Sequence, residues 1–258
     1  MIAWLAAVAL AGPCDVDGGL PTGPAQVALW DGDLGRARPV CARTQVALAP
    51  RALLLVDTPA FYGRISALAG LEGTVAVDRT ALWLRLEPVR YESVISAIPS
   101  SFLGYGYTSV GVTQRLDAGG PTATAFHGTV VLPTAVRLQG NAAPLGLDLA
   151  FALDHAAGPW SVHGQAGYAF SASLTRPAEV RTGFTGTGGG QWRPGRAFAA
   201  VLDLQAAISY TAPLDHLAVA PALRFGAGPV GIELAGTVPV AGRERALAAV
   251  SLRGSVRR

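Results

Sequence analysis

The sequence predicts an all-β chain: an antiparallel, up-and-down transmembrane β-barrel of about 12 strands, with a margin of about two. Three observations carry this. Apolar side chains alternate with small or polar ones at period two through most of the chain after residue 41, and no 3.6-residue period competes over any long window. Half of the 258 residues are hydrophobic and only 14% are charged, with a mean hydropathy of +0.36. A water-soluble chain normally carries about a quarter charged residues. Finally, past the N-terminal segment no stretch approaches the roughly 20 uninterrupted apolar residues of a spanning helix. The apolar excess must therefore meet lipid from strands.

The elements follow in chain order. The opening MIAWLAAVALAG is a short apolar segment reaching Ala9-Leu10-Ala11, the small-x-small pattern of a signal-peptidase site, so residues 1–11 read as a signal peptide of an exported chain. A lipid-modified Cys14 is the competing reading, with Pro13 standing where a small, flexible residue belongs. Residues 12–41 are rich in Pro, Gly and Asp without a sustained period and read as a periplasmic lead-in or plug-like segment. Cys14 and Cys41 are the only cysteines and either pair or stay separate. Neither belongs to a metal site, because a zinc centre needs about four N or S ligands and the His are scattered.

Residues 42–258 form the predicted barrel. Weaker alternation marks strands near 42–57, 63–78, 79–92, 104–116, 122–134 and 179–192. The clearest is LGLDLAFALD, where Leu145, Leu147, Leu149, Phe151 and Leu153 alternate with Gly146, Asp148, Ala150, Ala152 and Asp154. In PWSVHGQAGYAFSASL, Trp160, Val162, Ala166, Tyr168 and Phe170 oppose Ser161, His163, Gln165 and Ser171. AFAAVLDLQAAISYTA sets Phe198, Leu202, Leu204, Ile208 and Tyr210 against Val201, Asp203, Gln205 and Ser209. HLAVAPALRFG, PVGIELAGTVPV and RERALAAVSLRGSV continue the pattern to the end. Breaks such as DAGGP, QGNAAP, HAAGP and AGP carry the chemistry of tight reversals, so the strands form a meander.

A soluble sandwich would show Lys, Glu, Thr and Asn on its polar faces. Here those faces are mainly Gly, Ala, Ser and Thr with an occasional acid or Arg, which suits an enclosed lumen. Aromatics at strand ends on the apolar face, Trp160 and Phe170, Phe198 and Tyr210, and Phe225, are placed as interfacial girdles. The predicted partners are accordingly membrane lipid, the barrel-assembly machinery and a small-molecule solute, in the outer membrane of a Gram-negative bacterium. The formal charge of +3 comes from single, scattered Arg residues with no Lys, which excludes a nucleic-acid stripe. No cofactor is expected, and the oligomeric state is not written in the sequence.

The polar members of the alternation are the lumen candidates: Asp148, Asp154, His163, Gln165, Asp203, Gln205, Arg224, Glu233, Arg245 and Arg253. Charges confined in a lumen either select a solute or pair across the interior and fill it. A hydrolase would need a base beside a nucleophile, for which His163 with Ser161 or Ser171, or His127 with Thr129, are the places to look. There is no G-x-S-x-G elbow, and the chain reads as a non-enzyme. A structural barrel that moves nothing is the other alternative.

Three stretches carry a family resemblance: GTVVLPT (residues 128–134), GPWSVHGQAGYAFS, and VAPALRFGAGPVGIELAGTVPVAGRERALAAVSLR. They resemble the outer-membrane transporters of the "MetA-pathway of phenol degradation" group over about half the chain. The resemblance implies an exported β-barrel channel for hydrophobic or aromatic compounds. The chain departs from the pattern at its end, SVRR, where such barrels usually carry an aromatic.

Overall fold

The computed structural model describes residues 41, 44–57, 62–95, 99–117, 120–134, 144–173, 180–195, 197–209, 216–227, 229–242 and 245–257. All regular elements among them are strands: β1 Gln45–Asp57, β2 Tyr62–Val77, β3 Thr80–Ile95, β4 Ser100–Gly104, β5 Thr108–Arg115, β6 Thr122–Leu132, β7 Pro144–Ala157, β8 Trp160–Ser173, β9 Val180–Trp192, β10 Phe198–Ser209, β11 His216–Ala227, β12 Val230–Ala241 and β13 Arg245–Arg257. Among the described residues, no helix is long and apolar enough to cross a membrane.

The strands pair antiparallel in sequence order, and β13 returns to β1 in register from Gln45↔Arg257 to Asp57↔Arg245. β4 and β5 both lie against β3, β4 on residues 90–94 and β5 on residues 80–86. They are two halves of one stave, so the closed wall has 12 staves. Closure matters physically, because an open edge would leave backbone amides unpaired in hydrocarbon.

The period-two pattern fixes which side of the wall each residue takes. On β10, Leu202 and Leu204 are 58% and 51% exposed on the outside, while Asp203 and Gln205 between them are 2% and 1% exposed on the inside. The same inversion runs around the barrel. Leu82 and Leu84, Leu145 to Leu153, Ile232 and Leu234, and Val250 and Leu252 face outward; Arg85, His127, Asp148, Gln165, Glu233 and Arg253 are buried inside. A protein dissolved in water would reverse these faces.

One place breaks the phase. Arg85 and Glu87 point inward, and so do Arg90 and Glu92, although the two pairs have opposite parity along β3. Opposite β2 the register shifts between Ala69 and Leu71, which places one extra residue in β3 around Pro88. Proline has no N–H to lose at such a bulge. Were residues 87–92 to alternate without a bulge, Arg90 and Glu92 would face the acyl chains.

Candidate functional site

The enclosed face of the barrel is the candidate site, and polar side chains form a belt of paired groups over much of it. On the β7–β11 wall, registration aligns Asp154, His163, Gly189, Asp203 and Ala220 in one row, and Ala152, Gln165, Thr187, Gln205 and Ala218 in the next. His163 Nε2 lies 2.6 Å from Asp203 Oδ1 even though β9 runs between their strands. The gap is bridged over Gly189, where a Cβ would collide with Asp203 Oδ1 and the Leu202 carbonyl. Gly189 thus has a packing reason, which its neighbours Gly186, Gly188 and Gly190 do not share.

Farther round, Arg224 Nε donates to Glu233 Oε2 at 2.7 Å and its Nη1 to Gln191 Oε1 at 2.9 Å. Glu233 is the registered partner of Arg253 on β13. Arg253 Nε in turn donates across β1 to Glu72 Oε2 on β2 at 2.8 Å, above the small inward residues Ala47 and Ala49. Glu72 Oε1 accepts from Arg85 Nη1 at 3.3 Å, and Arg85 Nη2 stands 3.6 Å from Glu87 Oε1. Arg90 completes the series with Glu87 at 3.3 Å and Glu92 at 2.9 Å. Signs alternate from one side chain to the next, which offsets the desolvation that each buried charge suffers alone.

Nine of the ten lumen candidates have described side chains, and all nine lie on the inward face of the wall. Asp148, Gln165, Asp203, Gln205, Glu233 and Arg253 are buried inside, and Asp154, His163 and Arg224 are half-buried on the same face. The side chain of Arg245 lies outside the described residues. His127, a place to look for a hydrolase base beside Thr129, has its described hydrogen bond between Nδ1 and Thr113 Oγ1, 2.9 Å apart on the neighbouring strand, because registered residues across a ladder are closer than same-face residues along it. The described bond of His163 goes to Asp203 rather than to Ser161 or Ser171. Glu72, Arg85, Glu87, Arg90 and Glu92 lie outside the predicted lumen set. The signal for the last four is RLEPVRYE, residues 85–92, where charges change parity on either side of a proline; Glu72 stands alone between Leu71 and Gly73.

The outer aromatics mark one rim. Trp160, Trp192, Phe198 and Phe225 form a ribbon across β8–β11, with successive ring centroids 6.2, 6.4 and 5.3 Å apart. Trp192 joins the predicted set. All four sit at the end carrying links 78–79, 158–159 and 228–229, whereas the opposite end carries 133–143, 174–179 and 210–215. Phe170 lies toward that opposite end, and Tyr210 falls outside the described residues. At the short-link end, Asp117 accepts from the Arg115 guanidinium at 2.7 Å and from the Thr124 N–H at 2.9 Å. The Arg115 hydrogen bond, with the Thr124 amide, lowers its carboxyl from 3.8 to about 2 against the opposing effect of burial.

Cys41 is buried against the inward Ala123, Ala125 and Ala152 and is disulfide-bonded. Cys14, the other cysteine of the chain, lies outside the described residues. Among the described residues, no group of three or more His, Cys, Asp or Glu is placed to hold a metal.

This architecture is that of solved outer-membrane barrels. It is similar to the KdgM porin in complex with disordered oligogalacturonate, at a TM-score of 0.53 and 7% identity, over 82% of this chain and 99% of that one. The NanC porin gives 0.50 at 12% identity, over 82% and 99% of the two chains. The β domain of the Bordetella autotransporter BrkA gives 0.53 at 10% identity, over 84% and 100%. At such identities the likeness is one of fold, shared by porins and autotransporter domains alike. No protein-family model and no curated protein matches the chain by sequence, so the phenol-degradation resemblance rests on the residues that carry it.

Proposed function

We propose that this barrel is a channel or transporter for small solutes in the outer membrane of a Gram-negative bacterium. The observation that carries the reading is the inversion of the wall: a lipid-compatible exterior around a belt of paired charges, amides and hydroxyls. A barrel used only as an anchor could fill its interior with apolar packing, whereas confined charges create a field that acts on a passing solute.

A small hydrophobic cargo is the finer reading. It is supported by the phenol-degradation resemblance and by two apolar patches within the polar wall, Leu53 with Leu68 and Ala249, and Val201 with Ala222 and Ala235. Short links face the periplasm and longer ones the exterior in barrels of this kind, so the Trp160–Phe225 ribbon is assigned to the periplasmic interface. Residues 1–11 are proposed as the signal peptide and residues 12–41 as a periplasmic lead-in or plug-like segment. The barrel-assembly machinery is the inserting partner.

Liposome swelling tests the function. Vesicles holding the purified chain swell in an isosmotic solution of a permeant solute, and aromatic solutes enter faster than sugars of equal mass. Vesicles that stay inert to every solute would favour the structural-anchor alternative.

A further inference from the structure

We infer that the constriction of the lumen is built by the ring of Tyr107 lying over the guanidinium of Arg90, where the β4/β5 stave folds inward. The inference deepens the channel reading and rests on it. Its first support is the break itself. Residues 105–107 separate β4 from β5, and Gly106, Tyr107, Thr108 and Ser109 are buried in succession where a regular stave would alternate. Thr108 and Ser109 remain in the ladders to β3 and β6, so the departure from the wall's alternation is confined to Gly106 and Tyr107, which lie between the two strands.

The second support is that the fold is fastened on both sides. Toward β3, the Gly106 N–H donates to the Glu87 carbonyl at 2.8 Å and the Glu87 N–H to the Tyr107 carbonyl at 3.2 Å. The Tyr107 N–H also donates to Glu87 Oε2 at 3.2 Å. A side chain at position 106 would collide with the Glu87 carboxylate, so this approach requires glycine. Toward β6, Thr134 Oγ1 accepts from the Thr108 N–H at 2.8 Å and donates to the Gly106 carbonyl at 3.2 Å. Thr134 ends the Leu-Pro-Thr of GTVVLPT just beyond β6. It supplies the bonds that a continuous β4/β5 ladder would have made with the β6 side.

The third support is what the fold carries. Tyr107 places its ring centroid 5.0 Å from Arg90 Cζ, a cation–π geometry. Arg90 is 0% exposed and held by Glu87 and Glu92, and Tyr107 is 3% exposed. A freely mobile side chain would be pushed aside by solute, but this ring is fixed by its own backbone bonds and by an ion-paired cation beneath it. The Pro88 bulge brings Arg90 and Glu92 to the inside at this level. Bulge, broken stave and Thr134 therefore form one device that thickens a single sector of wall.

The test is single-channel conductance of the full-length protein in planar bilayers, for wild type, Tyr107→Ala, Tyr107→Phe and the lipid-facing control Leu82→Ala. Heat-modifiable migration in detergent first confirms a closed barrel; if Tyr107→Ala lacks it, Tyr107→Val is measured and read in its place. Conductance is expected to rise at least about twofold in Tyr107→Ala, less in Tyr107→Phe, and not in Leu82→Ala. Conductance in Tyr107→Ala above a silent wild type supports the inference equally. A conducting wild type matched by Tyr107→Ala overturns the constriction and leaves the channel reading standing. Silence in every variant overturns both.

Discussion

Leu204 and Asp203 are adjacent in sequence, one facing outward at 51% exposure and the other inward at 2%. That difference gives single substitutions opposite outcomes according to parity. Leu204 sits mid-strand on the outer face, so Leu204→Arg is expected to destabilise the folded barrel by about 2–4 kcal/mol. Asp203→Asn keeps its shape and a hydrogen bond toward His163, and is expected to cost about 1 kcal/mol; denaturant unfolding from lipid vesicles measures both. Within the belt, Glu72 bridges two cations, Arg85 at 3.3 Å and Arg253 at 2.8 Å. Glu72→Ala leaves both arginines short of a counter-charge, with an expected loss of about 3–5 kcal/mol in the same unfolding assay. Equal tolerance of Leu204→Arg and Asp203→Asn would contradict the assignment of faces.

At the level of elements, β6 to β13 are legible from hydrophobic alternation, weakly at β6 and β9, whose outer positions include Thr and Gly, and most clearly where each residue type matches the solvent its parity assigns. β7 shows why: from Leu145 to Leu153 every odd residue is large and apolar, and the intervening ones are small or acidic. β3 was harder to read. Its Arg85, Glu87, Arg90 and Glu92 cannot share one face in an unbroken strand, and only the bulge at Pro88 reconciles them. The sequence pattern predicts a single strand starting near residue 104 where the structure has β4 and β5, since hydrogen bonds from the Tyr107 and Thr108 N–H groups to the Glu87 and Thr134 side chains leave no periodic trace in sequence. Deleting Pro88 removes the extra residue and leaves a regular strand in which Val89 faces lipid and Arg90 and Glu92 still face inward, whereas deleting both Pro88 and Val89 reverses the parity and turns the two charges toward lipid. The expected result is a retained heat-modifiable folded band in the single deletion and its loss in the double deletion. The 116–121 link gives a pH prediction. Asp117 titrates at about 2 in the folded protein against 3.8 for an ordinary aspartate, so its stabilisation is complete above about pH 4 and is lost as pH falls through about 2. Thermal unfolding of Asp117→Asn compared with wild type should show a deficit at neutral pH that vanishes in strong acid.

For the whole molecule, the polar interior and apolar exterior are two consequences of one closed cylinder, and the transport proposal depends on that inversion. The most direct test attaches nitroxide spin labels singly at positions 202, 203, 204 and 205 of β10 in lipid vesicles and compares collision rates with molecular oxygen, which concentrates in the bilayer core. The inverted wall predicts high oxygen accessibility at 202 and 204 and low accessibility at 203 and 205. The opposite phase, with 203 and 205 in lipid, or no alternation along the strand, would contradict it.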